Sequence, residues 1–176
     1  GDIRDDWRSV SMIGFSQPGW SCFTSAGNFN DADMLVVGVV GWGHGHRKTG
    51  LDADEQYSHI SMWCMLSSPL LLGCDLEKLD AFTLNLLCNA EVLEINQDPL
   101  GKQGYPVVTN YETEIWKKDL SDESVAVGMF NVGEIEQEVS FNFKDVGMKG
   151  ECRVRDLWRQ KDVGDFEKSF SSKVGR

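Results

Sequence analysis

Asn30-Asp31-Ala32-Asp33-Met34-Leu35-Val36-Val37-Gly38 sets two carboxylates at the mouth of a short apolar run. A run of this length and composition, bounded by turn residues, reads as a strand buried on both faces. A carboxylate pair at the end of such a strand is placed to handle protons or hydroxyls. The arrangement recurs: Leu70-Leu71-Leu72-Gly73-Cys74 is closed by Asp75, and Asp2, Asp5 and Asp6 open the chain beside Ile3 and Trp7. Between the two runs, Thr49 to Glu55 offers an N-cap and an acidic first turn. Tyr57, Ile60, Trp63, Cys64 and Leu66 then fall near helical spacing, which predicts a helix over about 53–67. Pro69 ends that helix, Leu70 to Gly73 reads as a short buried strand, and Leu79 to Leu87 reads as a second helix. Strand, helix, strand, helix is the order of a parallel α/β layer, whose functional groups collect at the carboxyl ends of its strands. On this reading Asp33 and Asp75 share one rim.

From Tyr105 onward the texture changes. Glu112 to Trp116, Ser124 to Phe130, Glu138 to Phe143, Cys152 to Trp158 and Phe166 to Phe170 alternate with period two, with Gly, Asn or Asp at the breaks. This predicts an antiparallel β domain. Leu100-Gly101-Lys102-Gln103-Gly104 separates the textures, so the domains are expected at 1–103 and 104–176.

The 176 residues are 41% hydrophobic with 6 Trp, enough apolar mass for a core. A net charge of -11 repels nucleic acid and anionic membrane surfaces, so neither is an expected partner. No stretch approaches the roughly 20 apolar residues that span a bilayer. The chain opens with neither Met nor a charged segment followed by an apolar one. Five cysteines, an odd number with no C-x-x-C pair, imply neither a zinc knuckle nor a complete disulfide framework; mostly buried free thiols are expected.

Gly43-His44-Gly45-His46, with His59 and nearby acids, lacks the rigid spacing of a zinc site, and a solvent-facing loop is the simpler reading. No metal and no cofactor are expected. An aspartate near a chain end is by default a solvated end residue, and Asp31 and Asp33 also suit simple turns. Asp75 equally suits a cap for a helix starting near Glu77.

In order, Gly1-Asp2-Ile3-Arg4-Asp5-Asp6-Trp7, Asn30-Asp31-Ala32-Asp33-Met34-Leu35, Ser68-Pro69-Leu70-Leu71-Leu72-Gly73-Cys74-Asp75-Leu76 and Glu94-Ile95-Asn96-Gln97-Asp98-Pro99-Leu100-Gly101 resemble motifs of glycoside hydrolase family 27, the α-galactosidases and α-N-acetylgalactosaminidases. The β-rich remainder resembles that family's C-terminal domain by position and pattern. The resemblance implies the C-terminal part of a (β/α)8 barrel followed by an antiparallel β-sandwich, entered at the end of the sixth barrel strand. It implies that Asp2 is the general acid/base and that Asp33 and Met34 line the sugar pocket. Ala32 stands where the family motif has proline, which is expected to loosen the turn that aims Asp33. Trp42, His44, His46 and Arg47 would border the pocket near the aglycone. Trp20 and Trp42 suit sugar stacking or core packing equally. The Asn96-Gln97-Asp98-Pro99 motif is expected to pack and turn rather than to react.

Retaining hydrolysis needs one carboxylate to attack the anomeric carbon and a second, about 5 Å away, to protonate the leaving oxygen and then activate water. The resemblance places the nucleophile upstream of Gly1, so the chain reads as an internal piece of a longer enzyme, cut at both ends and inactive alone. About three barrel strands would also leave unpaired edges. The expected substrates are terminal α-galactosides or α-N-acetylgalactosaminides of oligosaccharides or glycoconjugates, between which the chain does not choose. A homo-oligomer is compatible with this class, and localisation is unassigned, a secreted or periplasmic parent fitting it. The competing class is a non-catalytic β-rich carbohydrate-binding or scaffolding unit that keeps the motifs as barrel remnants.

Overall fold

A computed structural model describes residues 2–41 and 45–176. In chain order the first half holds α1 (Trp7–Gly14), the two-residue strands β1 (Val39–Val40) and β2 (Arg47–Lys48), α2 (Ala53–Met65), α3 (Ala81–Leu87) and α4 (Ala90–Asn96). Short polar side chains start each helix. Asp6 accepts the Ser9 N–H at 2.8 Å, Asp80 accepts that of Thr83 at 2.8 Å, and Asn89 accepts those of Glu91 and Val92. At α2 the cap is reciprocal: Asp52 accepts the Glu55 N–H at 2.9 Å while Glu55 accepts the Asp52 N–H at 3.0 Å, a box worth about 1 kcal/mol. The expected helices at 53–67 and 79–87 are therefore present with slightly tighter ends, and α1 and α4 are additions to the sequence reading.

The two apolar runs meet in parallel through a single bridge, Leu35 with Leu72. The Leu35 N–H donates to the Leu71 carbonyl at 2.7 Å and the Gly73 N–H to the Leu35 carbonyl at 2.9 Å. Gly38 turns the backbone at φ +65° just after Val37 and interrupts the ladder, and beyond it the two segments meet once more, the Asp75 N–H donating to the Val39 carbonyl at 2.8 Å. The first run is buried as expected, Val36 and Val37 completely. In the second, Gly73 is buried and Leu70 half-buried, and Leu71 and Leu72 are about half exposed, with Leu35 paired on one edge. The shared rim for Asp33 and Asp75 is also corrected. Asp33 lies two residues before the bridged Leu35 and Asp75 three after the bridged Leu72, so parallel register sets them at different levels.

The second half is antiparallel throughout. Strands β3 (Tyr105–Thr109), β4 (Thr113–Asp119) and β5 (Val125–Asn131) form one sheet in that order. β6 (Gln137–Asn142) pairs with β9 (Ser169–Val174), and β7 (Cys152–Asp156) with β8 (Lys161–Phe166). The stretch Phe166 to Phe170, read as one strand, is the reversal from β8 into β9. Its period survives because both rings enter the same core, 5.2 Å apart.

β4 shows how one strand serves two cores. Ile115 packs with Val139, Phe141, Phe143 and Val146 of the second layer, whereas Trp116, on the opposite face, joins the core of the first half with Ala126 and Phe130. Phe15 meets Trp116 edge-on at 6.0 Å and Phe130 at 5.3 Å. A second junction forms beyond β7, where the strand stops at Asp156 and a turn carries Trp158 to α2. Its ring lies 4.7 Å from Tyr57, and its indole N–H donates to Ser61 at 2.9 Å. Lys118, 1% exposed, donates from the same face as Trp116 to the Ser67 hydroxyl and the Lys102 carbonyl. Burial lowers its pKa to about 8. Of the five thiols, Cys64 is fully buried and burial pushes it up to about 12, whereas Cys22 and Cys88 are exposed, which corrects the expectation of mostly buried cysteines. No helix among the described residues is long and apolar enough to cross a membrane.

His59 is the most acid-sensitive element of this core. It is completely buried on α2, its Nε2 accepts the Val36 N–H at 3.1 Å, and its Nδ1 has no partner among the described residues. Burial lowers its pKa to about 3. Between pH 6.5 and 3 the unfolded chain binds a proton at this residue that the folded chain does not, so stability falls as pH falls, by up to about 1.4 kcal/mol per pH unit. His59→Gln, which keeps an acceptor for Val36, should lose this part of the pH slope. Urea unfolding of both proteins at pH 4, 5, 6 and 7 measures it.

Candidate active site

The turn before the first apolar run is fixed from four directions. Asp31 Oδ1 accepts the Asp33 N–H at 2.8 Å, a short-range bond that suits aspartate in turns. The Ala32 N–H donates to the buried Ser68 hydroxyl at 2.9 Å. The Asp33 carbonyl accepts the Trp63 indole N–H at 2.7 Å, and Asn30 bonds to Gln17 through their side-chain amides. Within this frame Asp33 sits at φ +75°, in the left-handed region that aspartate enters more readily than most residues. The expected loosening at Ala32 is not what the structure has. Ala32 is buried, and its N–H makes a bond that proline, with no N–H, cannot make.

The carboxylate of Asp33 is aimed by that conformation at two backbone amides. Oδ1 accepts the Met34 N–H at 2.7 Å and Oδ2 accepts the Ile3 N–H at 2.8 Å. Ile3 itself is buried in the core, whereas Asp2 is exposed. Asp2 and Asp33 are thus brought together through the peptide that follows Asp2. Met34 is half-buried and lies over Gly73, where a Cβ would fall 2.7 Å from the Met34 sulfur. Asp2 supplies an exposed carboxylate, Asp33 a second carboxylate that keeps further lone pairs after accepting two N–H groups, and Met34 a half-buried thioether.

The other acidic candidates are structural. Asp5 accepts both guanidinium nitrogens of Arg47, at 2.5 and 2.9 Å, and the Gly50 N–H at 2.8 Å. The Arg47 bond holds its carboxyl below the usual range. Arg47, expected near an aglycone, is therefore engaged with Asp5. Asp75 caps the 3₁₀ turn Leu76–Lys78 by accepting the Glu77 N–H at 3.0 Å, and its other oxygen faces His46 and Lys78 at 3.4 Å each. Backbone bonding to Glu77 is the main cause that lowers its pKa. Trp20 is exposed beside Phe23, in a segment that Gln17 ties both to Gln103 of the linker and to Asn30 of the Asp33 turn. Trp42 and His44 lie outside the described residues. Asn96 donates to the carbonyls of Ser68, at 2.9 Å, and Trp63, at 3.3 Å, the packing role expected of that motif.

Sequence reasoning missed Trp63 and Ser68 as parts of the site. Helical spacing marked Trp63 only as core, and nothing in the sequence reported which carbonyl its N–H would meet.

Residues 1–98 match the family model described as alpha galactosidase A, and residues 110–176 the one described as the alpha galactosidase C-terminal beta sandwich domain. An alpha-galactosidase of Coffea arabica is 38% identical, over 99% of this chain and 44% of that protein. Alpha-galactosidase 2 of Arabidopsis thaliana is 35% identical, over 99% of this chain and 42% of that protein. Among solved structures, a GH27 β-L-arabinopyranosidase of Geobacillus stearothermophilus has a TM-score of 0.91 at 31% identity, covering 99% of this chain and 41% of that one. The chain spans about two-fifths of the length of these relatives. Its α/β half is the C-terminal part of a (β/α)8 barrel and its antiparallel half is β-sandwich, and the chain belongs to glycoside hydrolase family 27.

Proposed function

We propose that this chain is the carboxyl-terminal part of a retaining exo-α-glycosidase that removes terminal α-galactosyl or α-N-acetylgalactosaminyl residues. Asp2 is the acid/base, and Asp33 and Met34 line the sugar pocket. The observation that supports this reading is the 2.8 Å bond from the Ile3 N–H to Asp33, which joins the two motifs. In the first step Asp2 gives its proton to the leaving oxygen while a nucleophilic carboxylate from upstream sequence attacks the anomeric carbon. In the second, Asp2 takes a proton from water as that water displaces the enzyme from the sugar. Asp33 and Met34 would present an acceptor and an apolar surface to ring hydroxyls and ring carbons.

The substrate class follows from the relatives' names and ring chemistry. They include α-galactosidases and a β-L-arabinopyranosidase. An α-D-galactopyranoside and a β-L-arabinopyranoside carry the same ring hydroxyl pattern and differ at C6, so one pocket geometry can hold either ring. The boundary between catalytic and β domains is taken at 103/104, after α4 has ended at Asn96 and before β3 begins at Tyr105.

The pure 176-residue chain should show no hydrolysis of a nitrophenyl α-galactoside above the buffer rate, because its half of the carboxylate pair has no attacking partner. Measurable turnover would refute the division of labour. Joined to the upstream part of the Coffea arabica relative, the chain should turn over raffinose. Asp2→Asn in that chimera should then lower kcat/KM for raffinose by about 10²–10⁴-fold, with a smaller loss on a dinitrophenyl galactoside whose leaving group needs no proton. Equal rates for both proteins on raffinose would exclude Asp2 as the acid.

A further inference from the structure

The Asp33 turn is over-determined for a residue whose only task is to meet a sugar. Its backbone occupies a left-handed conformation, and two side chains from outside the turn's own backbone hold it there: the exposed Asp31 carboxylate on its N–H and the fully buried Trp63 indole on its carbonyl. Trp63 is itself completely buried and held by its neighbours. The His59 ring stands perpendicular to it at 4.1 Å, its carbonyl accepts from Asn96, and a Cβ on Gly14 would come within 3.2 Å of its ring. The consequence of the held conformation is a carboxylate whose two oxygens each take a backbone N–H, one of them that of Ile3, 30 residues earlier.

We infer that Trp63 and Asp31 are positioning residues: by pinning Asp33 they clamp the Asp2–Ile3 peptide and thereby fix the direction of Asp2. The inference rests on the reading of Asp2 as the acid/base and deepens it. The physical point is that Asp2 is exposed and that, among the described residues, its carboxylate has no hydrogen-bond partner to orient it. The peptide unit that follows is the nearest rigid handle, and the Asp33 carboxylate grips that unit while the buried Ile3 side chain anchors its far end. A carboxylate that must deliver a proton along one line benefits from such a grip, since misplacement of a reacting group by about 1 Å can cost 100-fold in rate.

Amide hydrogen exchange on the 176-residue chain, read residue by residue by NMR, tests this without any catalysis. An amide held in a hydrogen bond exchanges more slowly than a free peptide amide, so the protection that Asp33 gives Ile3 reports the clamp. Asp31→Ala, at an exposed position, should speed Ile3 exchange by roughly tenfold, the loss of about one hydrogen bond's worth of protection. The Met34 amide should follow it, while Phe130 in β5 stays unchanged. Asp31→Asn, which keeps the accepting oxygen, should restore Ile3 protection. Trp63→Phe, which keeps the ring and drops the N–H, should act as Asp31→Ala does; if it fails to fold, the Asp31 pair decides. An Ile3 amide unprotected in the wild type, or equally protected in Asp31→Ala, overturns the inference. These outcomes are separable from the activity test: an inactive chimera bears on Asp2, and an unclamped Ile3 bears on Trp63 and Asp31.

Discussion

α2 has to satisfy two layers at once. Gln56, His59, Ile60, Met62, Trp63, Cys64 and Met65 are all buried, so the helix has almost no free face. One side covers the apolar run after Asp33, and the other receives Trp116 and Phe130 from the β-sandwich. A helix so placed must dispose of every polar atom it buries. Gln56 meets the Gly38 N–H and the Leu51 carbonyl, His59 meets the Val36 N–H, and Trp63 meets the Asp33 carbonyl. These bonds, made because burial leaves no water to make them, set the backbone path from Asp33 to Gly38.

Function grows out of the same bookkeeping. The left-handed turn at Asp33 is sustained by its core contacts, and its product is a carboxylate directed at Ile3 rather than at bulk solvent. The backbone path through Asp33 and Met34 therefore inherits its geometry from α2. The sandwich contributes by setting Trp116 and Phe130 into the core that α2 shares, where both meet Phe15 at the end of α1, and through the Trp158 bond to Ser61. Lys118 closes the seam between the halves by supplying a donor to the end of α2 and to the linker carbonyl of Lys102.

Much of this was legible in the residues. Period two marked β4 to β6, caps and spacing marked α2 and α3, and the ordered motifs from Gly1 to Gly101 carried the family. Where reading failed, the cause was local similarity with different context. Phe166 to Phe170 alternates as a strand would, yet a reversal passes through it. Asp33 and Asp75 each close or open an apolar run, yet the bridge between Leu35 and Leu72 sets them at different levels.

What the sequence determined by itself is the class of elements, the two-domain texture and the family, because propensity, periodicity and motif order are properties of neighbouring residues. What tertiary structure alone decided is which long-range donor meets which acceptor: Ile3 with Asp33, Ala32 with Ser68, Trp63 with the Asp33 carbonyl, Lys118 with Ser67. The reason is physical. A buried polar atom must find a partner wherever packing puts one, and packing joins residues 30 or more positions apart that no local pattern relates.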